Sequence, residues 1–479
     1  MNAATEVDVV VIGAGPVGEN VADRVVQGGL TAAVVESELV GGECSYWACM
    51  PTKALLRDAA ALRAVRALPG AAAAVTGPLD AAAVLERRDR FASGWDDEGQ
   101  VAWLRGAGIG LHRGHGRISG PRTVTVTAAD GSTTDLVARH AVVVATGTRA
   151  AVPPIPGLAE SRPWTSREAV SARQVPGHLT VLGGGVVGTE MATAYRALGA
   201  EVTFLARDGV LPNVEPWASA QVVETLEASG VRVMIGAETT EVRRDADGVA
   251  ITLGDGEVVR ADEILVATGR RPNTDDLGLS SLGLADGSWL QVDETLRVLD
   301  AEDRPVGDGW LYAAGDVNAR ALLTHQGKYQ ARAAGDVIVA RATGAPVHDG
   351  PWGRHAATAD RLAVPQVVFT DPEVVAVGHS TASARAAGLR VRAVEHDLGA
   401  VAGAALHADG YRGRAGLVVD EDRGVVVGFT AVGPDTAELV HAATIAIAGE
   451  VPVERLWHAV PAYPTMSEVW LRLLETLGR

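Results

Sequence analysis

Residues 7–18 read VDVVVIGAGPVG, and this stretch decides the fold. Its apolar run is the pattern of a short strand buried on both faces, and Gly13, Gly15 and Gly18 lead straight into a helical stretch that ends near Gln27. A second strand, TAAVVE, closes on Glu36, 23 residues after Gly13. Strand, GxGxxG, helix and acid in this order make a dinucleotide-binding βαβ unit. The glycines permit a tight turn and let a pyrophosphate approach the helix N-terminus, while Glu36 is placed to hold a pair of ribose hydroxyls.

The unit occurs twice. Residues 179–182 (LTVL) run into Gly183-Gly184-Gly185-Val186-Val187-Gly188, a helix carrying Glu190 and Tyr195, and a strand EVTFLA. Two such units imply two nucleotides. Counting 23 residues from Gly183 lands on Ala206, so the acid that would grip a 2′-hydroxyl is missing, and Arg207 follows where a 2′-phosphate needs a cation. NADPH is therefore expected ahead of NADH, which stays possible. The other reading of Arg207 is a solvated loop residue.

Between the two units lies Gly41–Lys53, GGECSYWACMPTK, which holds the only two cysteines, Cys44 and Cys49. A five-residue step on an ideal helix rises ~7.5 Å, too far for a relaxed disulfide with Cα atoms ~4.4–6.8 Å apart. A bridge would need a kinked or tightened helix and would be easily reduced. Gly41, Gly42 and Pro51 allow such irregular backbone. Two buried cysteines that never meet are the alternative.

Composition narrows the class. At 479 residues the chain should hold two to four domains, and a net charge of −17 with no basic stripe argues against nucleic acid or an anionic membrane as partner. The N-terminal residues have no positive leader region, no run of eighteen apolar residues occurs, and a lone cysteine pair is a cytosolic redox pattern, so a cytoplasmic protein is expected. Of 42 basic residues only Lys53 and Lys328 are lysine, and a lysine kept in an arginine-dominated chain suggests a site that wants a compact ammonium.

Elsewhere, residues 54–107 suggest two packing helices broken at Leu68-Pro69-Gly70 and around Gly77-Pro78, and residues 111–140 alternate like a small antiparallel sheet with a turn at Ala129-Asp130-Gly131. A separate buried strand, AVVVATG (141–147), is expected next, then a linker marked by Pro153, Pro154 and Pro156. ILVATGRRPN (264–273) closes the second unit, and LYAAGDV (311–317) precedes a helix over 325–340.

From about residue 7 to 475 the chain resembles the flavoprotein disulfide reductases, which include dihydrolipoamide dehydrogenase, glutathione reductase and mercuric reductase. The match runs through Gly13/Gly15/Gly18, Glu36, the cysteine stretch with Gly42, Ala145-Thr146-Gly147, Gly183/Gly185/Gly188, ATGRRPN with Gly269, Gly315-Asp316 and PTMSE at 464–468. The resemblance implies an α/β chain with two Rossmann-like domains, for FAD and NAD(P), and a C-terminal α+β dimerisation domain. The boundaries are 1–150 for the first part of the FAD domain with the redox pair, 151–275 for the NAD(P) domain, 276–350 for the second FAD part and 351–479 for the interface.

Roles follow by position. Cys49 would be the charge-transfer thiolate beside the flavin, Cys44 the interchange thiol, and Lys53 with Glu190 an ion pair at the flavin's reactive edge. Asp316 would contact the ribityl chain, its alternative being an N-cap for the following helix. His325 falls in the helix beneath the flavin. A homodimer would complete the site with Tyr463 and Glu468 of the other chain.

Departures from the family pattern bear on substrate. Thiol–disulfide members carry His-Pro-Thr where this chain reads Tyr463-Pro464-Thr465, with Glu468 keeping its spacing. A phenol, with an ordinary pKa of about 10, is a poor base at neutral pH beside an imidazole at about 6.5. Mercuric reductase also has a tyrosine there, but its extra C-terminal cysteine pair is absent here, and no metal site is expected. His458 is a weak substitute base. Glu43 and Trp47 suggest a reshaped, more negative pocket beside Cys44. The expected enzyme is an FAD-dependent NAD(P)H:disulfide oxidoreductase acting on a small disulfide. A quinone, other small electrophile or metal ion is the alternative acceptor, and a nucleotide-binding sensor without turnover the alternative of another class.

Overall fold

The computed structural model describes residues 5–478. Two compact units account for them. The first gathers the chain through Met50, Asp89–Arg149 and Arg270–Arg361; the second gathers Pro51–Arg88, Ala150–Gly269 and the chain from Leu362.

In the first unit, β1 (Thr5–Ile12), α1 (Pro16–Gln27) and β2 (Ala32–Glu36) form the expected βαβ start. Short helix α2 (Gly42–Tyr46) and the start of α3 (Cys49–Arg66) follow. Then come β3 (Gly110–Arg113), β4 (His115–Gly120), β5 (Thr123–Thr127) and β6 (Thr133–Val144). The sheet order is β3-β2-β1-β6-β5-β4, with the strand Leu311–Ala313 also paired to β6. β1 lies parallel to both β2 and β6, Val11 opposite Val34 on one side and Val143 on the other. Val10 and Ile12 enter one core, Val9 and Val11 the other, which is why the run has no polar alternation.

Two expectations change here. The small antiparallel sheet and the strand at 141–147 are not separate, because β6 is one 12-residue strand. Residues 133–137 of it pair antiparallel with β5 and residues 136–144 pair parallel with β1, so both belong to a single mixed sheet. The helical region 54–107 has a further break: beyond those near 68 and 78, Ser93–Trp95 forms a short turn with Gly94 at φ 61° between the helices Ala81–Phe91 and Glu98–Gly106.

One face of the sheet is covered by α1 together with the helix Thr324–Thr343. Small residues let the two approach: a Cβ at Gly335 would meet Arg24 at 2.7 Å, and one at Gly327 would meet Val17 at 2.5 Å. Arg24 also pairs with Asp336 across the same seam.

In the second unit, a parallel four-stranded sheet runs Arg232–Ile235, Glu201–Ala206, His178–Leu182 and Glu263–Val266, with the helix Val186–Ala197 after the glycine turn. The C-terminal part holds a five-stranded antiparallel sheet built from residues 365–433, with the helices Leu439–Ala448 and Val469–Leu477 after it. Among the described residues no helix is long and apolar enough to cross a membrane.

Candidate active site

The cysteine stretch takes the irregular backbone that a bridge requires. Gly41 at φ 111° and Gly42 at φ 56° turn the chain into α2, which carries Cys44 and ends at Trp47 with φ −134°. Cys49 then opens α3, so the two cysteines never share a continuous helix. Both are thiols, and a hydrogen bond joins their side chains. That bond and burial, in this order, push the Cys44 thiol far up, while Thr324 and Lys328 act the other way. Cys49 Sγ lies 3.4 Å from Thr324 Oγ1, at the first residue of the helix Thr324–Thr343. A sulfur there is close to two helix N-termini, a setting that favours an anion.

Beside the cysteines is the first glycine turn. Gly15 caps α1 with no side-chain hydrogen bond, leaving the first-turn amides to a ligand. A Cβ on Gly42 would meet Gly15 Cα at 2.9 Å, so α2 abuts that turn. Gly13, at φ 99°, presses on the Ala145 carbonyl, where a Cβ would come within 2.5 Å, and a Cβ at Gly18 would strike the Gly13 carbonyl. Glu36 closes the site: Ala14 N–H donates to its Oε2 and Glu38 N–H to its Oε1, both at 2.8 Å, and burial raises its pKa.

Polar groups continue along the same unit. Thr146 Oγ1 is buried with no hydrogen-bond partner, next to Gly147 at φ 65°. Thr148 donates to Asp316 at 2.9 Å and accepts from Arg270 at 2.6 Å. Burial raises the Asp316 pKa, and the Glu43 charge adds to it. Asp316 opens a short turn, Asp316–Asn318, after Gly315 at φ 83°. Leu323, not Asp316, caps the following helix. His325 is exposed on that helix's first turn. An uncapped helix end, a clamped acid, an unmet threonine hydroxyl and a buried aspartate are the donor and acceptor set that a flavin dinucleotide needs, so these residues fit FAD.

The second unit repeats the turn. Gly183 takes φ 118°, Gly185 caps the helix Val186–Ala197 with no side-chain bond, and a Cβ at Gly188 would strike the Gly183 carbonyl. Gly269, at φ 147°, lies in the turn after Val266. The strand ends in buried Ala206, and Arg207 beyond it is exposed and doubly bonded to Asp208, at 3.1 and 2.8 Å.

Lys53 Nζ donates to Glu190 Oε2 at 2.8 Å, and the Phe369 N–H donates to Glu190 Oε1 at 2.9 Å. Glu190 is 2% exposed, and the ammonium lies 5.1 Å from the Phe369 ring centroid. Tyr463 is 76% exposed, and His458 is exposed too. Glu468 is buried, with one oxygen bonded to Arg472 at 2.5 Å and the other without a hydrogen-bond partner.

Sequence reading missed Thr324, Phe369 and Glu19. The first two act through contacts remote in sequence that leave no local mark. Glu19 had a signal, an acid immediately after the last fingerprint glycine.

Comparison with known proteins agrees with this geometry. Residues 7–343 match the pyridine nucleotide-disulphide oxidoreductase family, and residues 364–473 match its dimerisation domain. The chain is 33% identical to a mercuric reductase from Shigella flexneri over 96% of this chain and 79% of that protein. It is 31% identical to a dihydrolipoyl dehydrogenase from Haloferax volcanii over 98% and 96% of the two. The structure of LpdA from Mycobacterium tuberculosis superposes with a TM-score of 0.82 at 27% identity, covering 99% of this chain and 100% of that one. The chain therefore belongs to the pyridine nucleotide-disulphide oxidoreductases, flavoprotein disulfide reductases that are enzymes using FAD and NAD(P)H, and it carries their dimerisation domain for a homodimer.

Proposed function

We propose that the protein takes electrons from NADPH and delivers them through the Cys44–Cys49 pair to a small disulfide. The observation that carries this reading is the hydrogen-bonded thiol pair at the break between α2 and α3, with Cys49 against Thr324. When bound, FAD supplies the two-electron relay between NADPH and the cysteines. Gly13, Gly15, Gly18, Gly42, Glu36, Thr146 and Asp316 hold it in the first unit, and Gly183, Gly185, Gly188 and Arg207 hold the nicotinamide nucleotide in the second. Residues 1–150 and 276–350 then serve FAD, 151–275 NAD(P)H and 351–479 the dimer.

Cys49 keeps the charge-transfer thiolate and Cys44 attacks the acceptor. Lys53 and Glu190 make a fixed dipole for the flavin edge. Tyr463 and Glu468 reach the partner subunit's site, where the phenol donates a proton or orients the acceptor. The cytoplasm suits a cysteine pair that must cycle.

A metal ion or other small electrophile, quinones included, is the second reading, favoured by Tyr463 in place of an imidazole and by the similarity to mercuric reductases. Anaerobic titration with NADPH, and separately NADH, tests both. The proposal expects a long-wavelength thiolate-to-flavin band that disappears in Cys49→Ser, and disulfide reductase activity lost in Cys44→Ser. Direct flavin bleaching with no such band, and quinone turnover surviving Cys44→Ser, would overturn it.

A further inference from the structure

Ser93, Gly94 and Trp95 take φ 50°, 61° and 58°, three left-handed residues in succession between two helices. A tryptophan is a poor occupant of that region, and such backbone persists only where its surroundings hold it. Here the surroundings include α2, the five-residue helix that carries Cys44. The Trp95 indole N–H donates to the Tyr46 carbonyl at 3.2 Å, and Gln100 Nε2 donates to Ser45 Oγ at 3.3 Å. Tyr46 is 1% exposed, and its hydroxyl donates to the Val40 carbonyl at 3.0 Å, just ahead of α2. Val40 N–H donates in turn to Asp97 Oδ2 at 2.7 Å, an oxygen that Arg113 also meets at 2.5 Å.

The stretch 95–100 thus holds α2 and the residue leading into it. On an unbroken helix Trp95 would face roughly 140° away from Gln100, since five residues turn about 500°. The left-handed turn is what brings both side chains to α2. The Tyr46 carbonyl lies in the last turn of α2, where a helix has acceptors that it cannot satisfy itself. Gly41-Gly42 on one side of α2 and the break at Trp47 on the other are places where the backbone can turn, so lateral bonds decide where Cys44 sits.

We propose that Trp95 is a positioning residue for the redox pair: its indole N–H, with Gln100 beside it, clamps α2 so that Cys44 stays against Cys49 and the bridge between them closes easily. This rests on the reading of Cys44 and Cys49 as a cycling disulfide. Holding the two sulfurs together in advance removes part of the ordering that closure requires, so the clamp favours the bridged form.

Exchange with dithiothreitol reads this balance: the Cys44–Cys49 bond breaks, the reagent's own disulfide closes, and two electrons and two protons pass to the protein. The holoenzyme is equilibrated anaerobically in graded dithiothreitol buffers, and each cysteine is scored as thiol or bridge by alkylation and peptide mass. Trp95→Phe keeps a ring and removes the donor. It should be half-reduced at an about fivefold lower dithiol-to-disulfide ratio, a rise in potential of about 20 mV. Gln100→Leu should move the same way by about twofold, and serves if Trp95→Phe fails to fold. Trp103, exposed on the helix that carries Gln100, is the control, and Trp103→Phe should leave the midpoint unchanged. A purely structural role for Trp95 would lower the urea midpoint and leave the potential where it is. Unchanged potentials in both clamp variants, or an equal shift in Trp103→Phe, overturn the proposal. If wild type holds two thiols at every ratio, the disulfide reading itself fails. Amide exchange over residues 42–47 then decides on the clamp, and equal rates in wild type and Trp95→Phe overturn it.

Discussion

The two glycine turns are nearly the same object in backbone and opposite objects in side chain. Gly15 and Gly185 cap their helices at φ −72° and −76°, and Gly13 and Gly183 turn at φ 99° and 118°. Beyond the turns they diverge. The first strand pair ends in Glu36, held by two backbone amides. The second ends in Ala206, followed by the exposed pair Arg207 and Asp208. The residue after the last glycine is Glu19 in one, with an unmet oxygen, and Thr189 in the other, whose hydroxyl is satisfied by the Gly185 carbonyl at 2.9 Å. Repetition preserves the backbone of the turn and varies the side chains around it.

The largest effect should come from removing the clamped acid. Glu36→Ala deletes a charged acceptor worth roughly 1.5–3 kcal/mol per hydrogen bond, so FAD affinity should fall on the order of 10²-fold and the protein should purify colourless. Absorbance near 450 nm checks it, and a fully yellow variant would break the comparison. Gly183→Ala is the mirror experiment. Its Cβ would meet the Ala267 carbonyl carbon at 2.6 Å, so flavin content should be normal while reduction by NADPH slows, again about 10²-fold.

An intermediate effect concerns pH. Burial lifts the Glu19 carboxyl from 4.5 to about 7, Glu36 adds to this, and Lys328 opposes it. A carboxyl with a raised folded-state pKa contributes stability below its unfolded pKa and loses it as pH rises through the folded one. Between pH 4.5 and 7 wild type should lose roughly 3 kcal/mol that Glu19→Gln keeps, read from urea midpoints across that range. The Thr189 position has no such dependence, so parallel curves for the two proteins would remove the contrast. The smallest effects belong to the exposed pair. Arg207→Ala should raise KM for NADPH about tenfold with little change for NADH. Asp208→Asn should lower it about twofold by releasing the guanidinium. Unchanged KM values in both variants would mean that Arg207 is a solvated loop residue.

Much of the fold was legible because the decisive signals are local. VDVVVIGAGPVG and LTVLGGGVVG each announce strand, turn and helix within a dozen residues. The continuity of β6 was not legible: alternating and uniformly apolar halves look like two strands, and only pairing with β5 and then with β1 makes them one. The break at Gly94 was hidden among residues that read as good helix formers. In the candidate site, the cysteines, Lys53 and Asp316 stood out by type or motif. Thr324 and Phe369 did not, because a threonine hydroxyl and a backbone amide gain their roles only from what tertiary packing sets against them. The expectation that a bridge needs broken helix geometry matches the interruption at Trp47.

The contact between Cys49 and Thr324 has a consequence for synthesis. Its two ends are 275 residues apart, and the Arg24–Asp336 pair between α1 and the same helix spans 312. The first glycine turn leaves the ribosome about 300 residues ahead of the helix that covers its sheet. At roughly 5–20 residues per second, β1 and α1 wait at least about fifteen seconds with an apolar face uncovered. Non-local closure of this kind is slow and exposed to aggregation, so the nascent chain should depend on holdase chaperones until the stretch around Thr324 has been made.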